Sequence, residues 1–127
     1  MGAPFDAQRG LIVIATRLWG PAGDVVVRLA LDTGATRTLV NWDPMVFIGY
    51  DPAAAGPRIE VTTGSGVEFV PEVRVQRVQA LQHEEVDFPV LCHTLPPSAT
   101  VDGVLGLDFM RGQQLTVDFR AAIVTLE

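Results

Sequence analysis

A chain of 127 residues with 48% hydrophobic and 19% charged side chains carries enough apolar material for one domain with a buried core, and too much of it to stay disordered. Its formal net charge of −6, with nine arginines, no lysine and no basic cluster, excludes the electrostatic footprint of a nucleic-acid binder. The single cysteine, Cys92, excludes an internal disulfide framework, and the early apolar run Leu11 to Ala15 is too short to span a membrane. No signal-peptide layout is visible, and Asp6 stands where a myristoylation signal needs Ser or Thr, so a cytoplasmic location is expected.

Residues 1–10 are polar and read as a flexible arm, which leaves 11–127 as the domain. Leu11 to Leu18, rich in β-branched residues, predicts a strand, and Gly20-Pro21-Ala22-Gly23-Asp24 predicts its turn. Val25 to Leu31 returns as a central strand, apolar on both faces except at Arg28, and delivers Asp32 at its end. Asn41-Trp42-Asp43-Pro44 signals a helix start with Asp43 as cap and Pro44 as first helical residue; Met45 to Ile48 then make one turn closed by Gly49. Pro52, Gly56 and Pro57 break the segment from Tyr50 to Pro57, where nothing regular is expected.

Ile59 to Thr63 and Val67 to Val70 alternate around Gly64-Ser65-Gly66, a strong hairpin signal because glycine permits the positive φ of tight turns. Pro71 to Ala80 predicts a strand with one wet face, Gln82-His83-Glu84-Glu85 a polar turn, and Val86 to Cys92 another strand in which Pro89 points to an edge or a bulge. A proline-containing loop follows from Leu95 to Thr100. Gln114 to Phe119 and Ala122 to Leu126 close the chain as two strands around Arg120-Ala121.

Two short motifs carry chemistry. In Leu29-Ala30-Leu31-Asp32-Thr33-Gly34-Ala35, a carboxylate follows an apolar strand and precedes the apolar exit Leu39-Val40. One carboxylate alone is a poor base and a spent acid at neutral pH, whereas two forced together hold one shared proton and supply both roles. Thr33 offers a small hydroxyl to lock the loop, and Gly34 lets the backbone turn and two loops approach closely. The second motif is Val104-Leu105-Gly106, followed by a short helical segment. Only one Asp-Thr-Gly exists, and Asp102-Gly103 lacks the intervening hydroxyl residue.

In this order, hairpin, Asp-Thr-Gly-Ala, helical turn, glycine-rich hairpin, strands, Val104-Leu105-Gly106, helix and terminal strands, the chain resembles the retropepsin-like, single-domain aspartic proteases of the bacterial or retroelement-derived branch. The resemblance implies an all-β fold: a closed barrel equivalent to half of an acid protease, with a flap hairpin and one or two short helices, forming a homodimer. It implies a homodimeric aspartic endopeptidase acting on a peptide or protein substrate, with Asp32, Thr33 and Gly34 as the catalytic loop. Ala35 and the flap tip Thr63, Gly64, Ser65 and Gly66 would meet substrate, and Val104, Leu105 and Gly106 would support the loop. The tip Thr-Gly-Ser-Gly departs from the Ala-Asn-Gly type of many relatives. Val67, Val104 and Leu107 are expected as apolar pocket walls, and the strands Leu11 to Ala15 and Ala122 to Leu126 as interface elements. Two alternatives stay open: a catalytically silent, dimeric peptide-binding module of the same fold, and a protease domain cut from a larger protein.

Other polar residues receive structural readings. His83, Cys92 and His93 lack the spacing of a four-ligand zinc site, so no metal or other cofactor is expected, and Cys92 reads as a small buried residue. Glu84-Glu85 reads as a solvated turn, and Asp108 with Arg111 as a helix-local charge pair or part of the shell around the site. Trp19 and Trp42 read as core or rim packing.

Overall fold

Ile14, Thr16 and Leu18 are buried while Ala15 and Arg17 are exposed, the period-two alternation of a strand with one wet face. That pattern recurs around a barrel in the computed structural model, which describes residues 2–63 and 66–127. In chain order the elements are β1 (Ala3–Pro4), β2 (Val13–Gly20), β3 (Gly23–Leu31), β4 (Leu39–Asn41), α1 (Trp42–Phe47), a single 3-10 turn (Pro52–Ala54), β5 (Arg58–Thr63) and β6 (Gly66–Ala80). They continue with β7 (His83–His93), β8 (Gly103–Leu105), α2 (Leu107–Met110), β9 (Leu115–Asp118) and β10 (Ile123–Leu126). Among the described residues no helix is long and apolar enough to cross a membrane.

Six strands close on themselves in the order β2-β3-β8-β4-β7-β6, and β6 returns to β2 through Arg17↔Gln79 to Trp19↔Arg77. Closure removes the free edges that an open sheet would present. β3 runs parallel to β8 and β4 runs antiparallel to it, so this three-residue strand is wedged between the two strands that flank Asp32. Only glycine fits at Gly103, because a Cβ there would run into the Leu39 carbonyl. The interior is filled by Leu18, Val27, Leu29, Val40, Met45, Ile48, Val75, Val78, Val90, Leu105 and Phe109. A separate three-stranded sheet, β1-β10-β9, covers one side and buries Val124 and Leu126.

Several local expectations shift. The first hairpin is longer at its turn, with pairing out to Gly20↔Gly23 so that Pro21-Ala22 alone turn the chain, and it starts at Val13 rather than Leu11. Asn41, not Asp43, is the N-cap of α1; Asp43 lies in the first turn, where its charge faces the positive helix end, and Pro44 needs no N–H there. Gly49 follows the helix at φ +103 and ends it as expected. The segment expected to lack regular structure contains the 3-10 turn, because the Asp51 side chain accepts from the Ala53 N–H at 2.9 Å and caps it.

Pro71 does not divide two strands. β6 runs through it and changes partner, from β5 up to Arg58↔Pro71 to β7 from Glu72↔Leu91 onward. Of the polar stretch 82–85 only Gln82 lies in the turn: His83, Glu84 and Glu85 pair with Ala80, Gln79 and Val78. Leu81 and Gln82 turn the chain at φ 53° and 64°, the two positive φ angles of a type I′ hairpin, and burial of Leu81 holds it there without glycine. Pro89 does sit where β7 has a free side, since β4 joins only from Leu91 to His93. Within the expected arm, Ala3 and Pro4 pair with Val124 and Ile123, and Phe5 meets the Phe119 ring edge-on. β10 is therefore flanked by β9 along its length and by β1 at Ile123 and Val124.

Phe109, 1% exposed, packs edge-on against the rings of His83 and Phe88, whereas Phe47 is 71% exposed. Phe109→Ala is expected to cost about 3–5 kcal/mol of unfolding free energy in urea titration. Phe47→Ala is expected to stay within about 0.5 kcal/mol of wild type.

Candidate active site

β3 ends at Leu31 and the chain leaves the barrel as a tight loop that re-enters at Leu39. The loop is tied to the wedge strand and the helix behind it. The Asp32 N–H donates to the Leu105 carbonyl at 3.1 Å, and the Leu107 N–H donates to the Ala35 carbonyl at 2.8 Å. Within the loop, the Ala35 N–H bonds the Asp32 carbonyl, and the Gly34 N–H donates to Asp32 Oδ1 at 2.9 Å. Gly106 passes so close that a Cβ would lie 2.7 Å from the Arg37 carbonyl carbon and oxygen and 2.9 Å from the Ala35 oxygen. Leu105 and Gly106 thus stand against the loop, and Val104 pairs with Leu39 where the loop re-enters the barrel.

The hydroxyl that locks this junction belongs to Thr38 rather than to Thr33. Thr38 is fully buried; its Oγ1 donates to Asp108 Oδ1 at 2.7 Å and accepts from the Gly106 N–H at 3.1 Å. Its backbone N–H donates to both Asp108 oxygens at 3.0 Å. Asp108 therefore pairs with Thr38 and with Arg37, whose Nε lies 3.7 Å from Oδ2, and not with Arg111. Arg37 also pairs with Glu72 of β6. Thr33 is exposed, and its hydroxyl has no partner among the described residues.

An open groove of about 540 Å³ runs past the loop, lined on one side by Asp32, Gly34, Ala35, Thr36 and Arg37. Its other walls are Leu39, Leu91 and Val104 from the barrel and Ile59, Glu60, Val61 and Thr62 from β5. Of the expected apolar walls only Val104 takes part. Val67 points to solvent on the hairpin, and Leu107 lies behind the loop, where its N–H is bonded to Ala35. Thr63 ends β5 and pairs with Gly66, which opens β6 at φ +130; Gly64 and Ser65 lie outside the described residues. Asp32 is half-buried at the groove, and its Oδ2 has no hydrogen-bond partner among the described residues.

The remaining candidates lie elsewhere. His83 Nε2 meets Glu85 at 2.9 Å, and His93 lies 4.0 Å from Glu68. Cys92 is buried in β7 beside Val40 of β4, and that burial pushes its thiol up to about 12, so it stays neutral and inert. Trp19 packs at the rim beneath the Arg77 guanidinium, 3.8 Å from the ring centroid.

A closed six-strand barrel with few short helices, one strand wedged beside an Asp-Thr-Gly loop and a hairpin standing off its wall, defines the retropepsin-like fold class. The model of the family described as "gag-polyprotein putative aspartyl protease" matches residues 22–112, and the chain belongs to that family. The fold is similar to that of a retropepsin-like aspartic protease from Rickettsia conorii in its crystal structure, with a TM-score of 0.73 over 99% of this chain and 88% of that one, at 14% sequence identity. Among curated proteins no sequence matches.

Thr38→Val removes the hydroxyl without changing shape and leaves the Gly106 N–H without its acceptor. It is expected to lower stability by about 2–3 kcal/mol in denaturant titration. Thr38→Ser keeps both bonds and is expected to cost about 1 kcal/mol, the loss of one methyl group.

Proposed function

We propose that two copies of this chain assemble about a twofold axis as an endopeptidase, with one Asp32 carboxyl from each copy forming the acid–base pair. The observation that carries the reading is the placement of Asp32. It stands at the groove on a rigidly tied loop, with Oδ2 unpartnered among the described residues, and the sequence holds no second Asp-Thr-Gly to complete the pair. An isologous contact brings a residue near the axis against its own mate, and the exposed Thr33 and Gly34 leave this loop open to such a contact.

The chemistry follows from one proton shared between two carboxyls. The ionised member takes a proton from a water molecule as the water oxygen attacks the scissile carbonyl carbon. The protonated member gives its proton to the carbonyl oxygen. The carboxyl that took the water proton gives it to the amide nitrogen as the C–N bond breaks, the ionised one takes a proton from a hydroxyl of the intermediate as the C=O re-forms, and the pair is left holding one proton again. The sequence of steps requires neither a metal nor a covalent intermediate.

Substrate enters as an extended segment along the groove. β5 ends the strand order of its sheet, so its outer edge is suited to main-chain bonds with an added strand. Ala35 and the hairpin end at Thr63, Gly64, Ser65 and Gly66 are assigned to backbone contacts with that segment. Leu39, Ile59, Val61, Leu91 and Val104 favour apolar side chains beside the cut.

Cleavage of an unbiased peptide mixture by wild type and Asp32→Asn tests this reading. Wild-type specific activity is expected to rise with protein concentration, and the variant to lose about 10²–10⁴-fold. Equal activity of the two proteins, or equal silence of both in a folded dimer, would refute it.

A further inference from the structure

Arg37 lies in the loop that carries Asp32, and its guanidinium reaches carboxylates on two other elements, Glu72 of β6 and Asp108 of α2. The Arg37 and Glu72 side chains are only 27% and 16% exposed, so solvent screens this pair less than the surface pairs Arg17–Asp24 and Arg77–Glu84. The place of Glu72 in β6 is as informative as its charge. Up to Pro71 the strand belongs to the hairpin with β5, and from Glu72 it belongs to the barrel wall with β7. Pro71 has no N–H, so a ladder donor is missing at the point where the partner changes.

Both legs of the hairpin are gathered at Glu72. Its N–H donates to the Pro57 carbonyl at 2.8 Å, just before β5 begins. Gly56 approaches so closely that a Cβ would lie 2.8 Å from the Glu72 carbonyl oxygen. The groove lies between the Asp32 loop and β5, so its width follows the angle at which the hairpin leaves this root.

We infer that Glu72, acting through Arg37, is a positioning residue that fixes the hairpin over the Asp32 groove. The kinetic part of this inference rests on the endopeptidase reading; its mechanical part does not. Amide hydrogen exchange and steady-state cleavage kinetics test it on Glu72→Gln, Arg37→Met, the double variant and Glu84→Gln, which weakens the Arg77–Glu84 pair between β6 and β7 at the far end of β6.

Glu72→Gln is expected to speed exchange about fivefold in 58–63 and 66–70 while leaving the amides of 73–80 and 83–93 as in wild type. KM is expected to rise by a similar factor, with kcat within about twofold. In the Arg37→Met background, Glu72→Gln is expected to add nothing, and Glu84→Gln is expected to leave the hairpin as in wild type. Unchanged hairpin exchange in Glu72→Gln, acceleration spread evenly over the barrel, or effects of Arg37 and Glu72 that simply add would overturn the inference. If no variant and no wild type cleaves peptide, the endopeptidase reading fails, and the exchange pattern still decides the role of Glu72.

Discussion

The structure around Asp32 depends on one buried hydroxyl meeting one carboxylate. Thr38 and Asp108 join the loop after β3 to the helix after β8, and the Gly106 N–H completes the set. Thr38 is fully buried and Asp108 largely so, so a satisfied network is stiff and a broken one is costly. The backbone bonds Asp32 to Leu105 and Leu107 to Ala35 run alongside, which leaves the loop little freedom to move away from the wedge strand. In the proposed function that support holds Asp32 against a second carboxyl, because two like charges brought together push their loops apart.

The wedge strand itself is possible only because of glycine. β8 has β3 on one side and β4 on the other, and both Gly103 and Gly106 sit where a Cβ would collide with backbone. Those collisions involve the Leu39, Arg37 and Ala35 carbonyls, which cannot rotate away as a flexible side chain could. The chain's two informative motifs are thus halves of one construction.

How much of this was legible in the sequence depends on whether a signal was local. The apolar strand into Asp32, the glycine-rich hairpin and Val104-Leu105-Gly106 each sit in a few consecutive residues, and together they gave the fold class. The continuity of β6 through Pro71 was not legible, because proline normally breaks a ladder and only the change of partner from β5 to β7 makes it harmless here. The turn at Leu81-Gln82 carries no glycine signal; it is held at positive φ by the burial of Leu81, a tertiary effect. Thr38 carries no motif signal beside Leu39 and Val40, and of the two readings of Asp108, a pair with Arg111 or part of the shell around the site, the structure supports the second, with a partner 70 residues away. Thr38 is a polar residue inside an apolar strand entry, and that was the available clue. The groove walls failed for the same reason: β5 faces the Asp32 loop across the fold, so Ile59 and Val61 replace Val67 and Leu107.

One Asp-Thr-Gly per chain is the feature on which the functional account turns. Family membership and fold supply the loop, the groove and the hairpin, while in the proposed function the paired carboxyl comes from a second copy. Subunit mixing tests that most directly: wild type and Asp32→Asn are exchanged to equilibrium at fixed total concentration, and cleavage is measured against the wild-type fraction. The account predicts activity that follows the square of that fraction, since a mixed dimer holds only one carboxyl. A linear dependence would contradict it by showing that each chain works alone.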